Sequence, residues 1–186
     1  VKNLIKKNKN VIILDNLSTG FKYLLNKKAK FIKGDIKDFN LVNKIIKNYQ
    51  IETIIHLAAY LNISDAEKNK KKYFANNVLG TLNLIKSCKN SCVKNFIFSS
   101  SCSVYGNFSG AVSEKNKLKP KGYYALTKLK SENLIIKHSN KFNYKYAILR
   151  YFNVAGACNS NKIGEIQESH GHLIKNISIE SLKKKK

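Results

Sequence analysis

Apolar residues along the chain fall into short continuous runs, separated by stretches with helical spacing. One run covers 10–15 and closes on Asp15; a second covers 29–36 and ends Gly34-Asp35-Ile36. A third is Thr53-Ile-Ile-His-Leu-Ala-Ala59, a fourth covers 95–98 and runs into a serine cluster, and the last covers 146–151. Continuous apolar runs of this length suit parallel strands buried on both faces. Residues 1–8 read as the last turns of an amphipathic helix with Leu4 and Ile5 inward. Asp38 reads as the cap of a helix running through Asn48. Residues 70–90 place Tyr73, Val78, Leu82 and Ile85 at helical intervals, and a further helix opens near Tyr124. Residues 107–121 are a polar linker. Strands that alternate with helices predict βαβ units, an α/β fold and a parallel sheet. There is no internal repeat.

The 43% hydrophobic content over 186 residues suffices for one core. No run approaches a transmembrane span, and the opening residues show no signal-peptide pattern, so a cytoplasmic location and no membrane partner are expected. The four cysteines, Cys88, Cys92, Cys102 and Cys158, have no zinc or disulfide spacing. Cys88 and Cys92 are expected on one helix face, and all four read as idle thiols in a reducing compartment, with no metal.

A formal charge of +24 invites a nucleic-acid reading. Arg150 is the only arginine, and Lys, Asn and Ile are over-used together. That pattern fits AT-rich coding better than phosphate recognition, which enlists arginine and stacking aromatics. No specific nucleic-acid partner is expected, only salt-sensitive attraction to polyanions.

The chemistry gathers at 96–128. A buried strand delivers Ser99-Ser100-Ser101 at its carboxyl end, and Tyr124 and Lys128 follow four residues apart on one helix face. An ammonium beside a phenol favours the phenolate, so the Tyr124 pKa is expected to be lowered. A tyrosine so tuned can act as general acid or base. The competing reading is a plain strand end and an amphipathic helix with surface Tyr and Lys. His56 reads as a neutral core histidine. Asp15, at a strand end, reads either as a turn cap or as a ribose ligand.

Ser99-Ser100-Ser101, Val104-Tyr105-Gly106 and Tyr124-x-x-x-Lys128 together resemble the extended short-chain dehydrogenase/reductase family, most finely its UDP-glucose 4-epimerases. Asp15-Asn-Leu-Ser-Thr-Gly20, Asn76-Asn77-Val78 and Arg150-Tyr-Phe-Asn-Val-Ala-Gly-Ala157 carry the same resemblance. It implies a Rossmann-like doubly wound sheet, NAD as cofactor and a UDP-sugar substrate, and it leaves a family-like homodimer open. It assigns catalysis to Ser101, Tyr124 and Lys128. Cofactor contacts would come from Asp15, Asn16, Asp35, Ile36, Leu57, Ala58, Ala59, Asn77, Ser99, Lys128 and Tyr151. Substrate contacts would come from Ser101, Tyr124, Asn153, His172 and Leu173. Asp15 would favour NAD over NADP by repelling the 2′-phosphate.

The resemblance covers about residues 1–176, with 1–157 as a partial NAD-binding domain and 158–186 as the start of a substrate lobe with a basic tail. The family's first strand and Gly-x-x-Gly-x-x-Gly turn find no counterpart here, and most of its substrate lobe is missing. The absent strand would lie between the strands at 10–15 and 53–59. With no Met, and Val1 opening inside an apparent helix end, the chain is expected to be a fragment without epimerase activity of its own. The alternatives are another nucleotide-sugar enzyme, a dehydratase or decarboxylase, and an inactive fragment or basic binding module. Dehydratases place an acidic pair where Cys102-Ser103 stands, which counts against elimination of water.

Overall fold

The serine strand β4 (Asn95–Ser101) lies between β3 (Thr53–His56) and β5 (Lys145–Tyr151) in a three-stranded sheet. β3 and β4 run parallel, with Thr53 opposite Asn95 and His56 opposite Phe98. β1 (Ile12–Asp15) and β2 (Lys30–Lys33) form a second parallel pair, with Ile12 opposite Lys30 and Asp15 opposite Lys33. The computed structural model describes residues 1–158, 163–164 and 173–183. Among these, no ladder joins β1 to β3.

One apolar core serves both pieces. Phe96 and Phe98 of β4 and Ile54 of β3 pack with Val42 and Ile46 of α2 (Phe39–Asn48). Leu84 and Ile85 of α5 (Gly80–Ser87) and Ile135 of α6 (Tyr123–Phe142) complete it. Each such side chain contributes roughly 1.5–3 kcal/mol on burial. Leu14 only fringes this cluster. β1 departs from expectation here: all four of its residues are half-buried rather than buried on both faces. Among the described residues its one ladder partner is β2.

Asp38 caps α2 as its position predicts, its carboxylate accepting from Leu41 N at 3.0 Å. The opening helix α1 (Lys2–Lys6) half-buries Leu4 and Ile5. Two expected elements are shorter. The third strand stops at His56 instead of Ala59, because the Asn77 side chain takes both backbone groups of Tyr60, the N–H at 2.9 Å and the carbonyl at 3.1 Å. That pulls residues 57–60 off the sheet. The helix expected over 70–90 is also interrupted. After α3 (Ile63–Lys68) come α4 (Lys70–Tyr73), a π turn at Phe74–Leu79, and α5, which ends at Ser87. The wide turn frees the Asn77 carbonyl to accept from the hydroxyls of Thr81 at 2.6 Å and Ser131 at 2.8 Å. π turns recur at functional sites. Because α5 stops at Ser87, Cys88 and Cys92 do not share a helix face. Cys88 is buried and its thiol is pushed up to about 12 by burial, whereas Cys92 is exposed.

Two glycines set close approaches. A Cβ on Gly80 would stand 2.5 Å from Ile36 Cδ1, so α5 rests on the end of the β2 segment only without a side chain there. Gly106 has φ +77°, and a Cβ there would meet the Lys119 carbonyl at 2.0 Å. That seats the 107–121 linker, which has no helix or strand, as its polarity predicts.

The chain divides into two compact units, Val1–Arg150 and Tyr151–Lys186. In the second, α7 (Leu173–Lys183) exposes Leu173, Ile174, Ile177 and Leu182. Residues 184–186 of the lysine tail lie outside the described residues. Among the described residues, no helix is long and apolar enough to cross a membrane, and no His/Cys/Asp/Glu group could hold a metal.

Candidate active site

The carboxyl end of β4 meets the first turns of α6. Lys128 is 3% exposed and donates to the Ser99 carbonyl at 2.8 Å. Its ammonium sits 4.9 Å from the Phe98 ring centre and 5.9 Å from that of Tyr124. Burial pushes the Lys128 pKa down to about 8, against the opposing pull of the Glu132 charge. Tyr124, 8% exposed, lies one helical turn before it. Ser101 lies close enough to Tyr124 for its hydroxyl to favour the phenolate. Ser101 Oγ also accepts from Ser103 N at 3.2 Å and Ser103 Oγ at 2.9 Å, which starts the 3-10 turn Cys102–Tyr105.

The Tyr124 pKa is raised, not lowered as the Tyr-x-x-x-Lys spacing suggests. Burial of the phenol is the largest cause; the Ser101 hydroxyl opposes it, and Cys102 nearby adds to it. Lys128 spends its hydrogen bond on Ser99 rather than on the phenol. His56 is the neutral core histidine expected, with Nε2 2.8 Å from Thr81 Oγ1. Burial, then the Lys128 charge, pulls its pKa down to about 3.

Asn77 is 2% exposed and fully occupied. Besides holding Tyr60, it accepts from Asn76 Nδ2 at 3.0 Å and donates to Thr127 Oγ1 at 3.3 Å, tying the loop after β3 to α6. In that loop Leu57 is 67% exposed, Ala58 is exposed and Ala59 half-buried.

A second group sits at the ends of β1 and β2. Asp15 Oδ1 accepts from Leu17 N at 2.7 Å, while its Oδ2 makes no bond among the described residues. Asn16 donates to Asp35 Oδ2 at 3.0 Å. Asp35 also accepts from Lys37 N at 2.8 Å. Burial raises the Asp35 pKa, but the bonds from Lys37 N and Asn16 and the Lys37 charge outweigh it, so the net shift is downward. Ile36 turns into the core. Of the residues assigned to the substrate side, Asn153 and Leu173 are exposed in the second unit, as is Tyr151 at the end of β5. His172 lies outside the described residues.

One ion pair, with only its acid fully buried, joins residues that local pattern does not single out. Glu132, fully buried, accepts from Arg150 Nη2 at 2.8 Å and Nε at 3.1 Å, and from the Ser100 hydroxyl. Arg150 Nη1 donates to Tyr105 OH at 2.9 Å. The signal lay in the sequence as a third step on the helix face, Tyr124, Lys128, Glu132.

The model of the NAD dependent epimerase/dehydratase family matches residues 1–180. The chain belongs to this family. Among curated relatives, UDP-glucose 4-epimerase of Lactobacillus helveticus is 38% identical over 178 residues, 95% of this chain and 54% of that protein. A putative UDP-glucose 4-epimerase of Methanocaldococcus jannaschii is 38% identical over 84% of this chain and 52% of its own length. The crystal structure of UDP-glucose 4-epimerase from Brucella ovis in complex with NAD superposes with a TM-score of 0.89 at 32% identity, covering 94% of this chain and 54% of that one. The chain thus spans about half the length of the relatives it matches. The fold is the Rossmann-like α/β fold of these epimerases.

The residues present fit the nucleotide that the family's description names. Among the described residues, two of the three Lys128 N–H donors make no hydrogen bond, and Asp15 Oδ2 is an unengaged acceptor at a strand end. Both are ribose-compatible groups.

Proposed function

We propose that this chain carries the NAD-binding and acid–base part of an enzyme that epimerises a UDP-hexose, UDP-glucose or UDP-galactose, at C4 in the cytoplasm. The observation that carries the reading is the buried convergence of Ser101, Tyr124 and Lys128 at the end of β4. NAD held by these residues would supply reversible hydride transfer at the sugar carbon, so no external oxidant would be consumed. Tyr124 would remove the proton from the 4-hydroxyl and give it back, with Ser101 sharing it through its own hydroxyl. A raised Tyr124 pKa makes the phenol a reluctant base until ligand and Lys128 charge are in place. Lys128 would direct its two spare donors to the nicotinamide ribose. Ser99, Asn77, Leu57, Ala58 and Ala59 would line the nicotinamide side. Asp15, Asn16, Asp35 and Ile36 would line the adenosine side. Tyr151 would lie near the cofactor, and Asn153, His172 and Leu173 near the sugar nucleotide. Similarity to a Thermotoga maritima epimerase crystallised with UDP-glucose, 30% identical at a TM-score of 0.80, supports the substrate class.

The test uses a hybrid that carries residues 1–180 in the frame of the Lactobacillus helveticus relative. NAD titration by fluorescence and conversion of UDP-galactose are both expected. A folded hybrid that binds no NAD and converts no sugar overturns the reading. A Ser-Tyr-Lys dehydratase would instead release water from the sugar.

A further inference from the structure

The ion pair of buried Glu132 and half-buried Arg150 stands behind the reactive residues and hydrogen-bonds neither Ser101 nor Tyr124 among the described residues. Its contacts nonetheless bracket them. The Ser100 hydroxyl, held by Glu132, lies between Ser99, whose carbonyl receives Lys128, and Ser101, which neighbours Tyr124. Ser100 is 4% exposed and cannot exchange this partner for water. On the far side, Tyr105 closes the 3-10 turn that Ser101 opens. The Arg150 guanidinium both donates to its hydroxyl oxygen, at 2.9 Å, and lies 5.0 Å from its ring centre. Glu132 stands one helical turn beyond Lys128 on α6. One carboxylate and one guanidinium therefore tie together the strand end, the turn after it, the helix and β5.

We propose that Glu132 and Arg150 are positioning residues for the acid–base group, clamping Ser100 and Tyr105 so that Ser101 and the Ser99 carbonyl stay in register with Tyr124 and Lys128. This rests on the proposed function for its catalytic consequence but not for its geometry. A buried pair is weak evidence for stability, because two well-packed neutral residues often serve as well. Its value here is directional: bidentate guanidinium–carboxylate geometry fixes orientation as well as distance. The charged and titratable groups around Lys128 are Tyr124 and Glu132 on its own helix and His56 on β3. Of these, Glu132 accepts the Ser100 hydroxyl at the strand end.

Two variants separate positioning from stability. Ser100→Ala removes one contact to the clamp and leaves both charges paired. Glu132→Gln with Arg150→Met removes both charges, so no unpaired ion is left buried. In the 186-residue chain the readout is the ¹⁵Nζ resonance of Lys128, assigned by its loss in Lys128→Met, beside thermal melting. Ser100→Ala should melt close to the parent while proton exchange at Lys128 Nζ speeds about tenfold or more. The double variant should melt above Arg150→Met alone yet keep the fast exchange. In the hybrid, both should lose turnover by up to about 10²-fold with KM little changed, as for other misplacements of about 1 Å. A Lys128 signal unchanged in both folded variants overturns the proposal. So does turnover that recovers along with melting temperature in the double variant, which is what a purely structural pair predicts. If the unsubstituted hybrid does not turn over, the proposed function fails, and the Lys128 signal still decides the clamp.

Discussion

The β4–α6 half of the first unit and its β1–β2 half are built to different standards. Along β4, Phe96 and Phe98 are buried and each serine at its end is engaged by a protein partner: the Ser99 carbonyl takes Lys128, Ser100 gives to Glu132, and Ser101 accepts from Ser103. Along β1 nothing is fully buried, and the acid at its end keeps one oxygen unengaged. Side chains that move protons need fixed distances, so they sit where packing and hydrogen bonds fix them. Groups that only discriminate a ligand by charge tolerate a looser setting, because charge acts over several ångströms.

The largest effect should follow from breaking the ordered half at its chemical centre. Tyr124→Phe keeps the ring and loses the hydroxyl, so melting should barely change. Turnover of the hybrid should fall on the order of 10²–10⁴. Near-normal turnover would sink the assignment of Tyr124.

Packing provides the next comparison. Phe96→Ala empties a site with no exposure and should cost about 3–5 kcal/mol by denaturant unfolding. Ile13→Ala, in half-buried β1, should cost well under half of that, because little of its surface has left water. Equal costs would mean that β1 is as well packed as β4.

His56 sharpens the contrast through pH. Its folded pKa is about 3 against an ordinary 6.5, so the unfolded chain takes up a proton that the folded chain refuses. Its contribution is fully present above pH 6.5 and is lost as pH falls toward 3. The slope should be about 1.4 kcal/mol per pH unit inside that window. In His56→Gln the same window should be flatter by one proton. An identical pH slope in both proteins would mean that His56 protonates freely in the fold.

Sequence pattern located the strands, the Asp38 cap and the core histidine, because each depends on local spacing or on a single residue type. It overran the third strand and the long helix for one shared reason. Asn77 reaches 17 positions back to Tyr60 and 50 positions ahead to Thr127, contacts that no local period encodes. The sign of the Tyr124 shift escapes local spacing for a similar reason. Spacing gives the neighbouring ammonium, but not the depth of burial that outweighs it. Glu132 could have been found by extending the Tyr124–Lys128 step once more, but its partner Arg150 lies on another strand.

The smallest expected effect belongs to the loose half. Asp15 ends β1 with Oδ1 committed to Leu17 N and Oδ2 open. A ribose diol would find an acceptor there, and a 2′-phosphate would meet a like charge. Asp15→Asn can preserve the Leu17 bond while removing that charge, which separates electrostatics from turn stability. Melting should therefore hold nearly constant. The preference for NAD over NADP in the hybrid should narrow by about tenfold, equivalent to about 1.4 kcal/mol. Titration of both nucleotides against parent and variant reads the ratio directly. If the unsubstituted protein already binds NADP more tightly, Asp15 is a turn cap alone, and the discrimination lies outside the β1–β2 pair.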